Sequence, residues 1–558
     1  MGEITAGQAV ARVLKEEGVE FISGVHGGHI WGMLKPIADE GIRMIHCRHE
    51  QSGAYIADGW GRITGRPGVC FGTAGPGMFN LVSGLSHAYL CRSPVVALVG
   101  QHAIADDGRT PFQEGYAEEV CKSYTKWTKR ILHTSQISYF VQKAFRDAAT
   151  YPPGPVVIEF PTNILREAAV DESVQRGYLP KERCADLGGG GGDPVMVEKA
   201  VRMLLEAERP VVIGGDGIHY SKAQEELKEF VELLRIPVHT RRMGRGSVPE
   251  NHPLAFTGGY RRPLLNHADV ITVFGLRMGM LESFGEPPTY SHEAKYILVS
   301  ESTDDLDARV PTEVRLLANP KVVLRQMIDC AKDLMKKPPE RTEWLDEVTK
   351  AREAAQEATR KQVEEVRNES PIHPHFLAQE VVDFVDDSAT MILDGFSLSG
   401  FITDKVTAKF SGQLLDSATH GGVGHGIGMG IGAQLARPGK QVVALMGDGG
   451  FGVAGFDAET AARYNLPVCF FLFNNSGWMG AELQKVALPI KDSWGTLTDI
   501  RYDKMFEEMG CHGEFVTKPE EMRPALERAF NSGKPSVINI IPMDILPPQT
   551  RARVTERR

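Results

Sequence analysis

A continuously apolar run at residues 442–446, Val-Val-Ala-Leu-Met, breaks into Gly447-Asp448-Gly449-Gly450-Phe451-Gly452 and then into a helical pattern over residues 454–464. An unbroken apolar strand of this kind is covered on both faces, which places it in a parallel sheet with helices on either side. Glycines directly after it let backbone amides approach an anion. Twenty-four residues beyond Gly449, a second apolar strand over 466–473 ends in Asn474-Asn475-Ser476-Gly477-Trp478. Both turns thus fall at carboxyl ends of strands, where ligands bind in open α/β sheets.

Either turn alone is an ordinary loop; the pairing carries the signal. The spacing predicts the Asn475 amide oxygen and the Gly477 carbonyl beside the Asp448 carboxylate. Two diphosphate oxygens and a water would complete the oxygen octahedron that magnesium demands. Gly447, Gly449 and Gly450 would cradle the diphosphate, next to Trp478.

On these motifs the chain resembles the thiamine diphosphate-dependent enzymes of the acetolactate synthase, pyruvate oxidase and benzaldehyde lyase group, over nearly its whole length. The resemblance implies thiamine diphosphate and Mg2+ as cofactors. Arg48-His49-Glu50-Gln51-Ser52-Gly53-Ala54 matches the segment in which a glutamate touches the pyrimidine nitrogen N1′, so Glu50 takes that role. A carboxyl group there is most useful if burial raises its pKa. Gly72-Thr73-Ala74-Gly75-Pro76-Gly77-Met78-Phe79-Asn80 matches the pyrimidine-side loop, bringing in Thr73, Gly75 and Pro76. Within Gly421-Gly422-Val423-Gly424-His425, Val423 stands where relatives place a bulky apolar residue beneath the cofactor.

The substrate side rests on three residues. Val25-His26-Gly27-Gly28-His29-Ile30 resembles the H-G-x-H-I segment of benzaldehyde lyase, and Phe112-Gln113-Glu114 fits the glutamine that contacts cofactor and substrate oxygens. A histidine titrating near neutrality can take the proton of a 2-hydroxyl and return it, so His29, Gln113 and His26 are the catalytic candidates beside Glu50, with His420 and His425 behind them. The adjacent His-His pair of pyruvate decarboxylases is missing here, and the Q-W-Q segment of acetolactate synthases is replaced by Trp478-Met479-Gly480-Ala481, closer to the lyase pattern. Arg551 and Arg553 belong to a basic tail; in relatives such as oxalyl-CoA decarboxylase and 2-hydroxyacyl-CoA lyase the C-terminus folds over the active site when a thioester binds.

The expected activity is a carbon-carbon lyase and carboligase acting on a 2-hydroxyacyl-CoA or a 2-hydroxy ketone. The alternatives are an acetolactate synthase-like 2-oxo acid enzyme and, from another class, a noncatalytic cofactor-binding regulatory member.

At 558 residues the chain holds about three domains of roughly 100–200 residues. The divisions are a first block over 1–185, a glycine run at 188–192 read as a flexible linker, a central Rossmann-like block over 193–340, a charged helical connector over 341–370, a third block over 371–548 and the tail over 549–558. The expected fold class is α/β, with three doubly wound parallel-sheet domains. Arg277, after the apolar strand at 270–274, resembles the place where relatives use an arginine on flavin adenine dinucleotide or on the ADP part of coenzyme A.

A formal net charge of -10 argues against general nucleic-acid binding. The longest apolar runs are too short to span a bilayer, and no signal-peptide core opens the chain, so a cytoplasmic protein without membrane contact is expected. Eight cysteines without a C-x-x-C pair give no disulfide framework or zinc site, and Cys47 reads as core. The partners expected are a small-molecule substrate, with an acyl-CoA among the candidates, and a second copy of the chain in a homodimer or homotetramer, because the resemblance implies a cofactor held between subunits.

Overall fold

The computed structural model describes residues 3–167, 169–171, 189–258, 261–395, 398–478 and 495–547. Three parallel sheets with helices on their faces make up the chain, as the apolar strand runs require. In spatial order, the first sheet holds Arg43–His46, Phe21–Gly24, Gly68–Gly72, Val95–Gln101, Pro155–Pro161 and Trp127–Arg130. The third holds Leu414–Asp416, Thr390–Leu393, Val442–Gly447, Val468–Phe473, Ser536–Ile540 and His512–Val516. Numbered along the chain, both follow one order: second, first, third, fourth, sixth, fifth.

The middle sheet runs Val238–Thr240, Pro210–Gly214, Val270–Phe274, Lys295–Ser300 and Thr312–Leu317. In each sheet the winding direction reverses between the first and third strands, which opens a crevice at their carboxyl ends. In the first domain this lies beyond Gly24 and Gly72; in the third, beyond Leu393 and Gly447. The candidate cofactor residues follow carboxyl ends of strands in these two domains: Glu50 after Arg43–His46, Thr73 after Gly68–Gly72, Val423 after Leu414–Asp416, Asp448 after Val442–Gly447 and Asn475 after Val468–Phe473.

Helices Glu50–Thr64 and Gly426–Ala436 join the first domain to the third. The second is buried from Gly426 to Gln434, and its glycines are set by proximity. A Cβ on Gly432 would lie 2.2 Å from the Ile56 carbonyl oxygen, and one on Gly428 would lie 2.7 Å from that of Ser52. No side chain fits where two backbones meet so closely.

The charged connector is the helix Thr342–Glu365, with Trp344 and Val348 buried. The Trp344 indole N–H donates to the Pro210 carbonyl at 3.2 Å, seating the helix on the middle domain. The glycine run differs from its reading as a free linker: its described part, residues 189–192, is docked. The Asn319 N–H donates to the Gly190 carbonyl at 3.0 Å, and the Gly192 N–H donates to Gln326 at 2.8 Å. Asn319 and Gln326 supply the polar partners that composition alone did not show. Among the described residues no helix is long and apolar enough to cross a membrane.

Candidate active site

Glu50 opens the helix Glu50–Thr64, behind an N-cap made by His49, whose side chain accepts the Gln51 N–H at 3.2 Å. Although a carboxylate at a helix start is usually solvated, Glu50 is only 7% exposed, and its Oε2 accepts the Asn80 amide N–H at 2.9 Å. Asn80 comes from the next helix, Pro76–Leu90, which begins with the loop that matches the family's pyrimidine side. Thr73, Gly75 and Pro76 therefore lie at the same reversal as Glu50.

His29 lies across the crevice, half-buried, with its Nδ1 3.3 Å from the Thr73 hydroxyl and its ring stacked on Phe112 at 6.3 Å. Burial holds its pKa below the ordinary 6.5, opposed by a hydrogen bond with the Gln113 side chain and reinforced by Arg166 and His102. At neutral pH the ring is therefore uncharged and able to accept a proton. The Gln113 backbone is left-handed, φ 59°, and it leans on Gly75, φ 54°, where a Cβ would lie 2.6 Å from the Gln113 carbonyl oxygen.

Behind this loop Glu159, itself buried, accepts the Gln101 amide N–H at 2.7 Å and the Ala117 N–H at 3.0 Å. Burial pushes the Glu159 pKa up to about 6. His26 is exposed instead: its Nδ1 accepts the Trp31 indole N–H at 3.3 Å, and its ring stands 4.9 Å from that of His46.

In the third domain the strand Val442–Gly447 passes directly into the helix Asp448–Ala454, so Asp448 is its first residue. The Asp448 carboxylate is 1% exposed. Its Oδ2 accepts the Gly477 N–H at 2.9 Å, and the Asn475 N–H also points at it. The two turns predicted to meet do meet, with the Gly477 N–H donating to the carboxylate. The Asn475 amide nitrogen is taken by Asp544 at 3.1 Å. The Trp478 ring covers Gly449, at which a Cβ would come within 2.9 Å of the indole.

Two observations test whether a cation and a diphosphate fit this turn. Among the described residues Asp448 Oδ1 is buried without a hydrogen-bond partner, and burial pushes the Asp448 pKa up to about 6. A carboxylate oxygen so placed requires a proton or a cation. Beside it, none of the described residues lies within 4 Å of where a Cβ on Gly447 or Gly452 would stand. The residues present fit a hard divalent cation beside an anion.

Val423 is placed by a residue that the motifs did not pick out. Asp394, buried at the end of the strand Thr390–Leu393, accepts the Gly424 N–H at 3.1 Å and the Gly426 N–H at 2.7 Å. Its carboxylate thereby fixes the turn around Val423, and a Cβ on Gly450 would lie 3.6 Å from the Val423 Cβ. Leu393-Asp394-Gly395 repeats the apolar-strand, Asp-Gly pattern of residues 447–449, a signal that could have revealed it. His425 and His420 serve this packing: the His425 ring nitrogens lie 3.1 Å and 3.2 Å from the carbonyls of Gly422 and Leu393, and His420 Nε2 is 3.1 Å from the Ser86 hydroxyl.

Family models match in three consecutive pieces: the thiamine pyrophosphate enzyme N-terminal TPP binding domain at residues 4–120, the central domain at 197–327 and the C-terminal TPP binding domain at 400–540. A 2-hydroxyacyl-CoA lyase from Oryza sativa subsp. japonica is 30% identical over 561 residues, covering 96% of this chain and 95% of that protein. The chain belongs to the thiamine pyrophosphate enzymes. Similar relatives carry two kinds of name. The 2-hydroxyacyl-CoA lyase 1 of Homo sapiens is 29% identical over 558 residues, 97% of this chain and 94% of its own. A probable acetolactate synthase of Mycobacterium bovis is 29% identical over 540 residues, 96% of this chain and 95% of its own. In this thiamine pyrophosphate enzyme the first crevice lies within the N-terminal match, and the second lies within the C-terminal match except for Leu393 and Asp394, which precede it.

Arg277 is exposed, on a cavity of about 340 Å³ that Arg92, Lys126, Arg242 and Thr419 also line. Two of its neighbours are already paired: Arg92 with Asp305, and Arg242 with Asp216 at 3.2 Å. Arg551, Arg553 and the Met479-Gly480-Ala481 part of the lyase-like segment lie outside the described residues. Cys47 is core, with burial raising its thiol pKa.

Proposed function

We propose that this thiamine diphosphate enzyme breaks, and in reverse forms, the carbon-carbon bond between the carbonyl carbon and the hydroxyl-bearing carbon of a 2-hydroxyacyl-CoA or 2-hydroxy ketone. The carrying observation is His29, uncharged and half-buried, between the Thr73 hydroxyl and Gln113 at the crevice that also holds Glu50. Asp448, Asn475 and Gly477 would hold Mg2+, Gly447, Gly449, Gly450 and Trp478 would hold the diphosphate, and Val423, Thr73, Gly75, Pro76 and Glu50 would hold the thiamine part, where the Glu50 carboxyl would be able to share a proton with the pyrimidine nitrogen. Thiamine diphosphate supplies a carbon nucleophile that adds to a carbonyl and accepts the electron pair of the bond that breaks.

The chain's own part is to move protons and orient the substrate. His29 takes the 2-hydroxyl proton as the carbon-carbon bond opens, which leaves that carbon as an aldehyde or ketone. Gln113 donates to the substrate oxygen, and His26 stands at the outer side of the crevice. Returned to the former carbonyl carbon, the proton taken by His29 completes the second product, formyl-CoA from a thioester or a second aldehyde from a 2-hydroxy ketone. For thioesters, Arg277, Arg551 and Arg553 are the phosphate partners, since guanidinium groups suit phosphate oxygens.

Likeness to acetolactate synthases favours a second reading, condensation of two 2-oxo acids with loss of carbon dioxide. The test is product analysis by mass spectrometry, with 2-hydroxyacyl-CoA thioesters, benzoin-type ketones and pyruvate offered separately. Formyl-CoA with an aldehyde or ketone, or paired aldehydes, supports the lyase; acetolactate from pyruvate alone supports the synthase.

A further inference from the structure

The strand Arg43–His46 is an edge of the first sheet, so its outward N–H and C=O groups have no strand to bind. Side chains of the third domain bind them instead. The Tyr464 hydroxyl donates to the Met44 carbonyl at 2.8 Å and accepts the His46 N–H at 2.9 Å, spanning two edge groups as a neighbouring strand would. Arg463 donates to the His46 carbonyl at 2.7 Å. Asp457, 1% exposed, accepts the Arg48 N–H at 2.8 Å and is held by the Thr460 hydroxyl at 2.9 Å. Glu459 pairs with both Arg48 and Arg463. Two residues beyond Arg48 stands Glu50.

We propose that Asp457, Arg463 and Tyr464 are positioning residues for Glu50, forming a clamp that fixes the chain entering its helix and ties it to the segment just downstream of the Asp448 turn. This rests on Glu50 being the pyrimidine partner. The clamp is specific in form: it binds backbone groups, so it sets the path of residues 44–48 whatever their side chains. Glu50 then reaches its target from a fixed helix start, with Asn80 aligning its carboxylate. Losing one such hydrogen bond frees a backbone group that the edge cannot satisfy otherwise.

The test uses the full-length protein and the variants Tyr464→Phe, Asp457→Ala and Asp457→Asn. Amide hydrogen exchange over residues 43–49, without cofactor, reads the clamp itself. Tyr464→Phe and Asp457→Ala are expected to speed it about fivefold to tenfold, whereas Asp457→Asn keeps the acceptor oxygen and stays near wild type. With thiamine diphosphate and magnesium bound, exchange of the cofactor's C2 proton needs no substrate. It should slow about fivefold in Tyr464→Phe, with cofactor affinity unchanged within about twofold, and Tyr464→Phe should add nothing in a Glu50→Gln background. Faster amide exchange with unaltered C2 exchange would overturn the inference alone. If Glu50→Gln itself leaves C2 exchange unaltered, the reading of Glu50 falls and the inference with it.

Discussion

Asp448 shows how far a single residue was legible. Its place at the end of an apolar strand, a fixed distance before Asn-Asn, was readable because strand burial and glycine turns are local properties. The hydrogen bond from the Gly477 N–H was not, since spacing cannot orient a peptide unit. Asp448→Ala is expected to abolish magnesium-dependent binding of thiamine diphosphate in calorimetric titration, because it removes the buried Oδ1 that none of the described residues satisfies. For His29, burial lowers the pKa, so the neutral, proton-accepting form is complete above 6.5 and is lost as pH falls through the lowered value. The kcat/KM profile should show an acid limb with its midpoint below 6.5, and His29→Ala should lower kcat by about 10²- to 10⁴-fold. A limb unchanged in that variant would assign the titration elsewhere.

Among the elements, apolar parallel strands were read correctly because burial on both faces leaves an unbroken apolar signature. The helix Gly426–Ala436 was harder. Its glycines are visible in the sequence, but not that Gly428 and Gly432 face the backbone of helix Glu50–Thr64. Contacts between distant segments have no local pattern, which is also why Asp394 and the Asp457–Tyr464 clamp went unseen. Gly432→Ala should destabilise the protein by about 1–3 kcal/mol or more in urea unfolding, since the added methyl meets the Ile56 carbonyl. A change within about 0.5 kcal/mol would mean that the two helices separate readily.

At the scale of the whole molecule, the first and third domains share one strand order, and each contributes one crevice. Large apolar side chains lie exposed around them: Trp31 and Phe112 near His29, and Trp478 over Gly449. Apolar groups gathered at a ligand site are usually covered by ligand or partner. Light scattering should therefore give at least twice the chain mass of 61.3 kDa, and a monomer at micromolar concentration would contradict a site shared between subunits. The three-domain plan was legible because each domain repeats the same alternation of strand and helix. The substrate was less so, since relatives of both names are equally identical to the chain over nearly the same length.

Carbon tracing separates those readings most directly. A 2-hydroxyacyl-CoA and pyruvate, each labelled with 13C at C1, are given together to the enzyme with thiamine diphosphate and magnesium, and the label is followed by NMR. The lyase predicts label in the formyl carbon of formyl-CoA with pyruvate untouched. Label in carbon dioxide and bicarbonate, with the thioester intact, would contradict it.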